Sequence, residues 1–237
     1  NSQEKRGLMM KRILSYIKKL FINLYKAIER FPVTIGFTTA TTIVLISISN
    51  NQSIFGLDTN QMSRIAMILA LGAPISLCIN LIFEKIQTKR LIRISAYILE
   101  GVFLLIYYYF LLDDFNMVQI TRYTAISMFF YLAFLFIPYI YKRQDFELYV
   151  IKVLTSFFVS VIYSIVLFAG LSAIFFALDT LLSVPVPYKT YYHIWLITAG
   201  VFAPSLFFAG IPIKNHKLNI REYPKLFKTL LQYIVMP

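Results

Sequence analysis

The chain has 237 residues, 59% of them hydrophobic and 17% aromatic, with only 14% charged and a mean hydropathy of +0.70. Soluble domains carry roughly 25% charged residues, and a single core of this length could not bury so much apolar side chain. The net charge of +12 does not point to nucleic acid, because the cations lie between long uncharged runs rather than along one exposed face. Cys78 is the one cysteine, which excludes an intrachain disulfide.

Residues 1–31 come first, and 11–31 form a basic amphipathic pattern. At 100° per residue Ile13, Ile17, Leu20, Leu24, Ile28 and Phe31 share one sector, while Lys11, Lys18, Lys19, Lys26 and Arg30 share the other. Such a helix lies at the cytoplasmic interface, either on anionic lipid or on the protein's own inner side. Pro32 ends it or turns it into the first span.

A span needs ~20 apolar residues to cross ~30 Å of hydrocarbon. On that measure 32–49, 63–83, 94–112, 123–141, 153–182 and 194–213 are six complete spans. A partial seventh, 229–237, suggests a piece of a longer protein. The expected fold is therefore all-α: a polytopic transmembrane bundle over 32–237, preceded by the interfacial helix. Lys and Arg alternate with the spans: 8 up to Arg30, then 4, 3 and 5 in segments 84–93, 142–152 and 214–228, against 3 in the intervening connections. The positive-inside rule places the N-terminus and the basic loops in the cytoplasm.

The fifth run is too long for the hydrocarbon, so it must tilt, project or break near Gly170. Small residues recur along it at Ser156, Ser160, Ser164, Ala169, Ala173 and Ala177, and in the second and sixth spans at Ala66, Ala70, Ala199 and Ala203. Small-xxx-small stripes allow close helix approach, so these three spans are expected at the centre. Pro74, Pro138 and Pro204 are expected kinks.

Five polar residues are candidates for function. Glu100 lies about 10 Å inside the third span, where a carboxylate costs a few kcal/mol unless it is protonated or paired. Asn80, at a similar depth in the second span, is its expected hydrogen-bond partner. Asp179, Tyr188 and His193 gather at the outer face around the stiff Val-Pro-Val-Pro loop of 184–187. Asp179 there is expected to end a helix and pair with Lys189 or tyrosine hydroxyls. Two residues do not make a metal site, and no nucleotide, hydrolase or metal-binding motif occurs. No catalytic residue, cofactor or metal is assigned.

The stretches ERFPVTIGF (29–37), LGAPISLCINLIFEK (71–85), LFAGLSAIFFALDTLL (167–182) and YHIWLITAGVFAPSLFFAGIP (192–212) resemble the DUF4153 family over about residues 20–237. The resemblance implies a bacterial inner-membrane protein with further spans beyond this chain, and it transfers no functional residue. The leading expectation is a non-enzymatic scaffold, sensor or accessory module that contacts lipid and a membrane-protein partner or a second copy. The alternative is a transporter or lipid-handling protein with Glu100 lining the path. An enzyme built on Asp179 and His193 is the third.

Overall fold

A computed structural model describes residue 25 and residues 27–51, 56–85, 90–111, 117–141 and 146–212. The chain is a helical membrane bundle: about 92% of the described residues are helical and none is in a strand. The expected interfacial helix of 1–31, all but its last turn, and the partial span at 229–237 lie outside the described residues.

The six apolar spans are α1 (Pro32–Ser49), α2 (Thr59–Lys85), α3 (Arg90–Leu111), α4 (Met117–Tyr141), α5 (Phe146–Leu182) and a composite sixth. That sixth consists of α6 (Tyr188–Ile197), a π-helical turn (Thr198–Phe202) and α7 (Ala203–Ala209). Several helices begin four to seven residues before the expected apolar edge. They run on through Arg93, Arg122 and Lys152, because a helix satisfies its own backbone whatever its side chains and long cations reach back to water. Before α1 the chain bends at Phe31, whose φ of −125° and ψ of 52° are not helical, and Pro32 starts the span at a position where its missing N–H is harmless.

The helix α2 is the centre: 61% of its apolar stretch is buried, and it packs on α1, α3 and α4. Leu71, Ile75, Leu104 and Tyr107 form one core along its first half, while Leu77, Cys78, Leu81, Phe134, Ile137, Val153 and Phe208 form another along its second half. The sixth span packs on α1 and α5, with Phe31 against Phe208 at a ring separation of 5.6 Å.

Of the three small-residue stripes, that of α2 is central as expected. The stripe of α5 is not: only 6% of that span's apolar stretch is buried. Ser160 and Ser164 are buried against the sixth span, but Ala169 and Ala173 are exposed. Nor does α5 break at Gly170. It is continuous over 37 residues, about 55 Å at 1.5 Å per residue. Pro74 and Pro138 stand inside continuous helices, while Pro204 opens α7 directly after the π turn.

Candidate functional site

The densest polar construction is a clamp at the end of the bundle where α1 begins and α2 ends. Pro32 redirects the chain so that Arg30, one residue before the bend, projects between helices rather than outward. Its Nε and Nη2 donate to Glu84 Oε1 and Oε2, each at 2.7 Å, from the last turn of α2. Its Nη1 donates to the Ile211 carbonyl at 2.7 Å and Nη2 to the Pro212 carbonyl at 3.1 Å, where the chain leaves α7. The guanidinium also lies 4.8 Å from the centre of the Phe31 ring. Two parallel bonds to a carboxylate are the strong form of this contact, and carbonyls at a helix end are themselves short of donors. One side chain thus ties together the start of α1, the end of α2 and the end of the sixth span.

Asn80 belongs to the same place. Its Nδ2 donates to the Arg30 carbonyl at 2.8 Å, so the expected bond to Glu100 is replaced by one that holds the bend. The Tyr149 hydroxyl of α5 is buried there, with no hydrogen-bond partner among the described residues. Sequence reasoning placed Arg30 on the polar face of an amphipathic helix and overlooked Glu84. The available signal was that an Arg next to Phe-Pro, and a Glu ending an apolar run, both stand where a span meets the interface.

Glu100 is buried at 4% exposure on the face of α3 turned to α2. Its carboxyl faces the Ser76 backbone, and Oε1 has no hydrogen-bond partner among the described residues. The Ser76 hydroxyl donates to Thr34 Oγ1 at 2.9 Å, and both residues are fully buried. Both contacts meet α2 at Ser76, two residues after Pro74.

Around the 184–187 loop no hydrogen bond or ion pair joins Asp179, Tyr188 and His193 among the described residues. Asp179 is exposed in the last turn of α5 and accepts a long 3.4 Å bond from the Val186 N–H. It does not end the helix, which continues to Leu182, and it forms no ion pair with Lys189 or His193. His193 Nε2 is buried without a partner among the described residues, while Tyr188 is 87% exposed. No group of three or more His, Cys, Asp or Glu suited to a metal occurs among the described residues.

At mid-height a cavity of ≈ 450 Å³ lies between α1, α2, α4, α5 and the sixth span, with Thr38, Leu77, Phe134, Ser160, Trp195 and Phe207 on its walls. Glu100 is not among its lining residues, so the carboxyl and the hollow are separate features. Comparison of the chain with protein-family models, curated proteins and solved structures finds no match.

Proposed function

We propose that this integral membrane protein is a non-enzymatic scaffold or accessory module of a bacterial inner membrane, with its N-terminus in the cytoplasm. The observation that carries the reading is α5. It is the longest helix described, it is packed on one side only, and it leaves Ala169, Gly170 and Ala173 exposed. In lipid, helices associate through close packing of small residues, and an uncovered small-residue face is suited to a partner helix. The resemblance to DUF4153 proteins is part of the same proposal. Three of the stretches on which it rests supply Arg30, Glu84 and the Ile211–Pro212 carbonyls, which meet in one clamp. That convergence fits a family pattern set by packing rather than by catalysis.

The test is cysteine crosslinking in native membranes. Ala173→Cys should form a crosslinked species, with a second copy or with another membrane protein, and Leu154→Cys on the exposed inner half of α5 should not. Equal crosslinking at both positions, or none at Ala169, Ala173 and Ala177, overturns the proposal.

A further inference from the structure

We infer that the mid-membrane cavity is a binding site for one acyl chain of a membrane lipid. The hollow lies along the middle third of α5, where Phe157, Ser160, Val161, Ser164 and Ile165 line it. That is the depth of the bilayer centre when the helix spans it. Helix irregularities create the space: Pro74 of α2, the π turn of the sixth span and Pro204 all adjoin it, through Ala73, Ala199 and Ala203. π turns and kinks hold helices apart where a regular pair would close.

The chemistry of the wall selects the occupant. Four hydroxyl-bearing residues line the region; Thr38, Ser160 and Ser164 are each bonded to their own helix, Thr38 to the Ile35 carbonyl at 3.0 Å, Ser160 to Phe157 at 2.8 Å and Ser164 to Ser160 at 2.7 Å, and Tyr131 stands at the half-exposed rim. Among the described residues no charged side chain lines the hollow. The cavity therefore presents hydrocarbon and aromatic surface. A polar substrate or an ion would lose its hydration there without replacement, and apolar cavities of this kind stay dry and take apolar ligands. Its volume falls within the range of about 300–1,000 Å³ usual for ligand sites.

The rim gives the route. Tyr131, Phe157, Ile165 and Trp195 line the cavity and are each roughly half exposed, so it opens sideways between α4 and α5. These two helices meet near their inner connection, through Tyr139 and Phe146 at 5.0 Å. Sideways from a membrane-spanning bundle lies lipid, whose tails have the length, flexibility and apolar surface that the hollow accepts. The chain comes either from a phospholipid or from a free fatty acid, and the experiment separates them. This site stands apart from the scaffold reading and does not depend on it.

Trp195 is the single tryptophan and lies on the cavity wall. The purified protein in non-quenching detergent is titrated with a phospholipid, and separately a fatty acid, brominated at mid-chain. The inference expects saturable quenching of Trp195 near one equivalent, reversed by the unbrominated lipid. The molecule that saturates at lower concentration identifies the source. Ser164→Phe, which fills the space, should weaken saturable quenching about tenfold. Ala199→Leu on the opposite wall should do the same and serves if the first variant fails to fold. Quenching that rises in proportion to brominated lipid without saturating, or that both filling variants leave unchanged, overturns the inference. Occupation by a second copy or by another segment of this chain gives that same result.

Discussion

Arg30 and Glu84, 54 positions apart, meet through two parallel hydrogen bonds of 2.7 Å, and the same guanidinium reaches the carbonyls of Ile211 and Pro212. Both side chains are less than one-third exposed. Removing either partner strands a partly desolvated charge, so Arg30→Ala and Glu84→Gln should each cost about 2 kcal/mol. The double variant should cost less than the sum, because the pair is lost only once. Arg30→Lys should recover little, since an ammonium cannot form the fork or span to both carbonyls. Thermal unfolding of the four variants beside the unmodified protein in one mild detergent checks all three statements.

Glycines at helix crossings should separate sharply from glycines on open faces. A methyl group at Gly210 would run into the Ser156 side chain, whose Cβ would lie 2.7 Å away, and one at Gly200 would run into Thr42. Overpacking at such contacts costs about 1–3 kcal/mol. A methyl group at Gly170 would meet nothing within 4 Å among the described residues. Gly170→Ala should therefore be neutral, or stabilising by up to about 1 kcal/mol through helix propensity. The same unfolding measurement ranks the three variants.

Glu100 invites a bolder expectation. A buried carboxyl oxygen without a partner among the described residues is a burden that an apolar side chain of similar size removes. Glu100→Leu should leave the fold intact and raise its stability by about 1 kcal/mol. A fall of similar size, by contrast, would show that Glu100 holds a contact the bundle needs.

Orientation is checked by labelling. Arg90 at the start of α3 and Lys189 at the start of α6 are both exposed, whereas the native Cys78 is buried. With the basic loops inside, an impermeant maleimide should modify Lys189→Cys in intact cells. It should modify Arg90→Cys only after the membrane is opened. Labelling of both from one side overturns the assigned threading.

The spans were legible because the absence of charge over ~20 residues has one cheap explanation, burial in lipid. Their ends were not, since Arg93, Arg122 and Lys152 continue helices into the interface where hydropathy gives no signal. Small-residue spacing identified α2 as a packed helix but misjudged α5. It reports that a helix can pack closely, and says nothing about whether a neighbour is there. Glu100 was read as a carboxylate at membrane depth and the structure buries it beside α2, while its supposed partner Asn80 turned to the Arg30 carbonyl. The clamp itself was out of reach: its members are separated by 54 and 181 positions, and no local period links them. The cavity depends on the angles between five helices, which a sequence pattern does not encode.

The π turn between α6 and α7 has a consequence for how the sixth span can change. Each extra residue in a turn advances every later side chain by about 100° around the axis. Thr198–Phe202 therefore works as a phase adjuster: Ile194 and Leu196 are set against the bundle by one register, Ser205 and Phe208 by another. Deleting a single residue there would yield a regular helix with Phe208 still turned to Phe31, whereas a deletion in α7 before Phe208 would swing that ring away, so this span tolerates a change in length at the π turn and not beyond it.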